Sequence, residues 1–266
     1  MDKIQFIVCG WWYDEFDKKT GQTDFIESLQ YLNGENDNID IFWTCHKKPP
    51  KVITENFEYQ EYENIGLEWG AYHKAFKDLN LKDDTYIFYI QDDMVVHDWS
   101  FINVCINHFK NNPKAKVIGN GWNYPWEIDP LEEARLSYWL KTKDRWVDYV
   151  RPENQNIYKE KLLCWSMRGS FLTSKPEYIK EVGSFDYVNK PLITMPDGND
   201  SRDPHGNTSE YLNGYKFTKV FGYEGMKYLS NQYRFSKYMT ECGAGNVRLS
   251  YEEPPDENLP EGVVIG

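Results

Sequence analysis

The stretch that decides the fold reads Tyr86-Ile87-Phe88-Tyr89-Ile90-Gln91-Asp92-Asp93-Met94-Val95-Val96. Its apolar start, rich in β-branched and aromatic residues and bounded by charge, predicts a buried strand rather than a helix. The strand ends in two adjacent carboxylates, Asp92 and Asp93, which repel each other unless a cation lies beside them. A divalent cation that carries phosphate oxygens meets this need. Because nucleotides bind at the carboxyl ends of strands in α/β sheets, we expect a nucleotide and metal site here.

Strand-like and helix-like segments alternate around this stretch. The patterns predict strands over 4–9, 39–44, 52–53 and 117–119, helices over 25–32, 70–79 and 99–109, and further sheet sequence over 162–173. Alternation of this kind favours a mainly parallel central sheet with helices on both faces. The predicted fold class is therefore α/β.

No linker or internal repeat divides the chain, so we predict one domain over residues 1–251. Within it, residues 122–161 form an excursion rich in aromatic residues, with one helix predicted near 131–140. Residues 252–266 are acidic and contain three prolines, which is typical of an extended tail over the surface.

Composition argues against some classes of function and is compatible with others. The net charge of −12 leaves no basic stripe to neutralise phosphates, which argues against a nucleic-acid binder. An aromatic content of 17%, with 20 Tyr and 10 Trp, fits a surface that handles sugars, but a compositional habit of the source genome explains it as well.

The cysteines and the apolar runs bear on location. The five cysteines are odd in number, far apart and without a C-x-x-C pair, which indicates reduced core residues. No leader-like segment and no apolar run long enough to span a bilayer is present, so we expect a cytoplasmic protein without an integral membrane segment.

Four segments occur in an order that resembles the GT-A-fold glycosyltransferases, in particular the large inverting family 2. They are Asn64-Ile65-Gly66 before a helix; Gln91-Asp92-Asp93; Arg168-Gly169-Ser170-Phe171 followed by Glu181-Val182-Gly183-Ser184-Phe185-Asp186; and Asp203 followed by Asn213-Gly214-Tyr215-Lys216-Phe217. The resemblance covers residues 4–225, and it rests on the order and spacing of the segments rather than on any one of them. It implies a single Rossmann-like GT-A domain.

The resemblance assigns roles around the paired aspartates. Asp93 matches the position that holds a divalent metal, Mn²⁺ or Mg²⁺, between protein and diphosphate. Asp92 matches the position beside the ribose or the donor sugar. Gln91 departs from the family, which commonly has an aspartate there; an amide still hydrogen-bonds ribose hydroxyls but contributes no charge to a metal.

The resemblance also implies a catalytic base, which takes a proton from the acceptor hydroxyl as that oxygen attacks the anomeric carbon. Asp203 matches its position. The family's preceding glutamate is absent here, so Asp200 is a rival and Asp197 a lesser one. His205 is a candidate late metal ligand, although a cap of the following helix is an alternative role.

Three further residues are candidates for donor binding. Trp11 and Trp12 occupy the loop after the first strand, where the family holds the nucleobase, and an aromatic ring there can stack on a base; packing at the sheet edge is the alternative. Arg168 can pair with phosphate or with a neighbouring acid.

These features together predict a metal-dependent transferase that moves a sugar from a nucleotide-diphosphate donor to a carbohydrate acceptor, with inversion if Asp203 or Asp200 is a base. One alternative is a non-catalytic glycan- or nucleotide-binding protein on the same scaffold, which Gln91 and the missing glutamate favour. A nucleotidyltransferase or metal-dependent phosphohydrolase ranks last, because Cys9-Gly10-Trp11-Trp12 is not the Gly-rich basic loop expected of a nucleotidyltransferase.

Overall fold

The computed structural model describes residues 2–10, 22–121, 126–128, 162–164, 167–187, 204–228 and 238–241. The strands are β1 (Ile4–Gly10), β2 (Ile39–Cys45), β3 (Glu58–Glu61), β4 (Tyr86–Gln91), β5 (Met94–Val96), β6 (Val117–Gly121), β7 (Trp126–Ile128), β8 (Leu162–Cys164), β9 (Met167–Ser174), β10 (Met226–Tyr228) and β11 (Met239–Glu241). The helices are α1 (Gln22–Glu35), α2 (Lys51–Thr54), α3 (Leu67–Leu79), α4 (Phe101–Asn111), α5 (Pro176–Val182) and α6 (Pro204–Phe221), and a 3₁₀ turn covers Tyr223–Gly225.

The main sheet has seven strands in the order β10-β6-β9-β4-β1-β2-β3. Its pairings are parallel except for the two that β9 makes with β4 and β6. Strand β4, which carries the apolar run, is the middle strand of the sheet. The predicted α/β class, with a mainly parallel sheet and flanking helices, is confirmed.

Strand β4 is a continuous apolar run because its two faces supply two separate cores. Phe88 and Ile90 pack on one face in a core with residues of α1 and α4, while Ile87 and Tyr89 pack on the other face with residues of α3, α5 and α6. A strand covered on both faces needs apolar residues at every position, whereas a half-exposed strand alternates. The burial therefore explains why the strongest strand signal in the sequence lies here.

The helices predicted over 25–32, 70–79 and 99–109 form as α1, α3 and α4, with ends that differ from the prediction by up to three residues. Helix α3 begins at Leu67, three residues before the predicted start, directly after Gly66. Gly66 has φ +79°, and a Cβ there would meet the side chain of Tyr187, so the turn into α3 requires glycine.

The strand predicted over 52–53 is wrong. These residues lie in α2, which follows Pro50 in an extended conformation, and the strand that pairs with β2 is β3, further along the chain. All four residues of β3, Glu-Tyr-Gln-Glu, are exposed at the edge of the sheet. An edge strand without a buried face carries no apolar pattern, so the sequence gives no strand signal there.

The sheet sequence predicted over 162–173 divides between two sheets. Strand β8 pairs with β7 in a two-stranded antiparallel sheet, and β9 joins the main sheet. Strand β5, which follows the paired aspartates, pairs with β11 instead of extending β4. The helix predicted near 131–140 and the tail over 252–266 lie outside the described residues. Within the described part of the chain, no helix has both the length and the apolarity to cross a membrane.

Candidate functional site

The paired aspartates lie at one edge of the sheet, which we call the carboxyl edge: the ends of β1 and β4 and the start of β9. Cys9 and Gln91 pair across β1 and β4, and the backbone N–H of Asp92 donates to the carbonyl of Cys9 at 3.1 Å. Asp92 is buried, whereas Gln91 and Asp93 are half-buried. The chain therefore turns sharply after β4, and the backbone hydrogen bond to β1 fixes where the two carboxylates stand.

A third carboxylate, Glu68, reaches the carboxyl edge from the first turn of α3. A Cβ at Gly169 in β9 would lie 2.6 Å from Oε1 of Glu68, so the Glu68 side chain occupies the volume that a side chain at position 169 would need. The hydroxyl of Tyr72, one turn further along α3, donates to the carbonyl of Gly169 at 2.9 Å. Helix α3 and strand β9 are thus locked together at Gly169, with Glu68 between them.

Three carboxylates, Glu68, Asp92 and Asp93, affect the pKa values of two buried residues, Cys9 and Tyr72. Burial raises the pKa of the Cys9 thiol well above its usual value, and the negative charges of Glu68 and Asp92 raise it further. Burial also raises the pKa of the Tyr72 hydroxyl, and Glu68, Asp93 and Asp92 add to the increase. Cys9 and Tyr72 are therefore protonated at neutral pH, and the field around them is negative.

A basic residue, Arg168, stands next to Gly169 at the start of β9. Its Nε lies 3.8 Å from Oε1 of Glu210 on α6, and the two side chains are 19% and 11% exposed. Two partners were predicted for Arg168, phosphate and a neighbouring acid. The structure contains the second of these contacts, with Glu210 as the acid.

The middle of α6 is held by a buried polar cluster. Asn213 accepts a hydrogen bond from the N–H of Asp186 at 2.8 Å and donates to the carbonyls of Asp186 and Ser209 at 2.7 and 2.8 Å. Lys216 Nζ donates to the carbonyl of Ser184 at 2.9 Å and lies 3.3 Å from the carboxylate of Asp186, with both charged side chains fully buried. Two of the motifs behind the family resemblance therefore contact each other directly.

A further polar residue, His46, follows the last residue of β2, and Cys45 pairs with Gly10 across β1 and β2. His46 thus stands at the carboxyl edge beside the end of β1. Burial lowers the pKa of His46 to about 4, and the charge of Lys74 contributes. The imidazole is neutral over the physiological range of pH.

The donor chemistry of the paired aspartates fits the predicted cation, because carboxylate oxygens are the ligands that Mg²⁺ and Mn²⁺ prefer. Among the residues that the structure describes, no group of three or more His, Cys, Asp or Glu side chains could hold a metal. A cation at Asp92 and Asp93 would therefore draw other ligands from water or from a bound phosphate.

The structure brings together four of the residues singled out in the sequence: Gln91, Asp92, Asp93 and Arg168. Trp11, Trp12, Asp200 and Asp203 lie outside the described residues. His205 is the second residue of α6, inside the helix rather than before it, and its side chain is not described.

Sequence reasoning missed Glu68 and Glu210. A signal for Glu68 existed, since it lies two residues after the Asn64-Ile65-Gly66 segment, at a helix start where carboxylates are favoured. Glu210 had no such signal, because only the packing of α6 beside β9 brings it to Arg168.

No protein-family model matches the chain, and no curated protein matches it. Among similar solved structures, mannosyl-3-phosphoglycerate synthase from Rubrobacter xylanophilus is 10% identical, with a TM-score of 0.44 over 85% of this chain and 64% of that one. Glucosyl-3-phosphoglycerate synthase from Mycobacterium tuberculosis is 9% identical, with a TM-score of 0.45 over 85% of this chain and 69% of that one. S. aureus TarS is 9% identical, with a TM-score of 0.42 over 86% of this chain and 35% of that one.

The chain therefore spans 64% of the length of the first of these proteins. At such low identities and TM-scores the similarity does not indicate which reaction the chain performs. The function must be argued from the residues at the carboxyl edge.

Proposed function

We propose that this chain is a glycosyltransferase that moves a sugar from a nucleotide-diphosphate donor to a carbohydrate acceptor. The observation that carries the proposal is the Asp92–Asp93 pair at the carboxyl end of the middle strand of a mainly parallel sheet. Glu68 and Arg168 stand at the same edge. Ligands of α/β sheets bind outside the carboxyl ends of the strands, and these residues supply the polar groups that a phosphorylated sugar donor needs there.

In this proposal each residue has a distinct task. Asp93 holds Mn²⁺ or Mg²⁺, and Asp92 and Gln91 accept and donate hydrogen bonds at the ribose and the donor sugar. Arg168 contacts the diphosphate through its forked donors. The cation, when bound, neutralises charge on the leaving diphosphate. Trp11 and Trp12 stack on the nucleobase.

Asp203 is our proposed general base, with Asp200 as its rival, and the reaction then inverts the anomeric carbon. The support is the match of Asp203 to the position of the base in the family resemblance, directly before the residue at which α6 begins. His205, at the second position of α6, remains a candidate ligand of the cation.

We place the reaction in the cytoplasm. The support is that Cys9, Cys45 and Cys105 are buried and form no disulfide, as is usual in a reducing compartment.

The test is thermal unfolding with UDP, GDP, dTDP and CMP, each with and without Mn²⁺. A ligand at a hundred times its dissociation constant adds about 2.7 kcal/mol, which raises the melting temperature of a chain this size by roughly 5–10 °C. We expect a Mn²⁺-dependent shift with one diphosphate. The absence of a shift with all four would contradict the proposal.

Products separate the proposal from its alternatives. A transferase releases nucleoside diphosphate together with a glycosylated acceptor. A non-catalytic binding protein, which the neutral Gln91 favours, binds the nucleotide and releases nothing. A nucleotidyltransferase releases pyrophosphate.

A further inference from the structure

Arg168 and Asp93 lie at the same end of two neighbouring antiparallel strands. Strands β4 and β9 pair as far as Ile90 with Phe171; β4 ends at Gln91 and β9 begins at Met167. Arg168, the second residue of β9, therefore lies at the carboxyl edge, where the turn with the paired aspartates follows β4.

Carboxylates from two helices lie near Arg168. Glu68, on α3, lies against its neighbour Gly169. Glu210 contacts Arg168 itself from α6. At 3.8 Å the contact with Glu210 is electrostatic rather than a hydrogen bond, and it acts in a region almost shielded from water.

We infer that Glu210 is a positioning residue, which holds Arg168 at the carboxyl edge so that the guanidinium contacts the diphosphate of the donor. The inference rests on the proposed function. Because a guanidinium has five N–H donors in a planar fork, it can face a carboxylate on one side and a phosphate on the other. Without the charge of Glu210, Arg168 loses this ion pair and leaves the orientation in which it meets the phosphate.

The experiment measures binding in the presence of Mn²⁺, using whichever of UDP, GDP or dTDP stabilises the wild type, and the matching nucleoside. The variants are Arg168→Lys, Glu210→Gln and Glu210→Asp. We expect Arg168→Lys and Glu210→Gln each to weaken diphosphate binding by about tenfold or more, the scale of a charge-assisted contact. Affinity for the nucleoside should stay within about twofold, and Glu210→Asp should recover part of the loss because it restores the charge.

Two controls separate positioning from folding. Arg168→Met combined with Glu210→Gln removes both charges, so no buried charge is left without a counter-charge; we expect the melting temperature without ligand to be kept and diphosphate binding to stay weak. Asp83→Asn removes one acid from an exposed ion pair, 2.6 Å from Lys180, and should leave diphosphate binding unchanged.

The outcomes are distinguishable. If Glu210→Gln keeps diphosphate affinity within about twofold while Arg168→Lys loses it, Glu210 is only structural and the inference is wrong. If Arg168→Lys also keeps the affinity, the forked donors of Arg168 do not bind the phosphate; the inference and the role of Arg168 then fail, while the transferase activity stands. If the wild type binds none of the three diphosphates, both fail together.

Discussion

Charged side chains are arranged differently at the two edges of the central sheet. At the amino edge, where β1, β2 and β4 begin, charges stand in exposed pairs of opposite sign: Lys3 with Asp40 at 3.2 Å, Lys110 with Asp2 at 2.7 Å and Lys180 with Asp83 at 2.6 Å. At the carboxyl edge, Glu68, Asp92 and Asp93 gather around the buried Cys9 and Tyr72.

The difference indicates which edge binds a ligand. In an exposed pair the two opposite charges balance each other and water screens them, so the pair attracts a further ion or ligand only weakly. Carboxylates that lie close together in a partly buried region repel one another, and a cation or a cation-bound anion relieves that repulsion. Substitutions at the two edges test this contrast.

The largest effect should follow from Asp93→Asn. If Asp93 holds the cation, the substitution removes a ligand charge, and the Mn²⁺-dependent part of the thermal stabilisation by nucleotide disappears. The measurement is thermal unfolding with and without Mn²⁺ and diphosphate. Retention of a Mn²⁺-dependent shift would exclude Asp93 from the cation site.

Asp203→Asn should lower turnover by roughly 10² or more, because an amide cannot accept the acceptor's proton. Donor binding should stay nearly intact, since the base acts on the acceptor. Steady-state kinetics and nucleotide affinity are measured together, with Asp200→Asn as the matched variant. If Asp200→Asn loses turnover and Asp203→Asn does not, Asp200 is the base.

His46 should make stability depend on pH. Its folded pKa of about 4 lies below the usual 6.5, so the folded state resists protonation that the unfolded state accepts. Stability is then complete above about pH 6.5 and falls as the pH drops towards 4, by up to about 3 kcal/mol. Urea unfolding between pH 4 and 7, compared with His46→Gln, measures this loss. An equal pH dependence in the two proteins would show that His46 is not its source.

Gly169→Ala should cost about 1–3 kcal/mol, because the new methyl group collides with Glu68. Combining it with Glu68→Ala removes the collision, so the double variant should lose less stability than the two single losses added together. Urea unfolding of the four proteins gives this coupling. Additive losses would mean that Glu68 and Gly169 do not share the space.

The smallest effect should come from the amino edge. Asp83→Asn removes one partner of an exposed pair and should change the free energy of unfolding by about 0–1 kcal/mol. A loss as large as that of Gly169→Ala would contradict the contrast between the edges. Urea unfolding measures both variants under the same conditions.

Much of the fold could be predicted from local patterns, and the part that failed has a physical reason. Strand β4 and helices α3 and α4 are buried, so their apolar residues recur at strand or helix spacing. Strand β3 has no buried residue, and its place in the sheet comes only from backbone pairing with β2. Backbone hydrogen bonds are the same for every sequence and leave no pattern of side chains.

The residues of the candidate site also divide into those that the sequence predicted and those that it did not. Two carboxylates follow the apolar strand β4 whatever the rest of the chain does, and the sequence alone shows this because adjacent residues at a strand end lie together. Glu68 and Glu210 join that region only in the folded chain, since α3 and α6 must pack against β9 before those side chains meet Gly169 and Arg168. Contacts between residues far apart in sequence depend on which elements pack together, and that choice is made by the whole core at once.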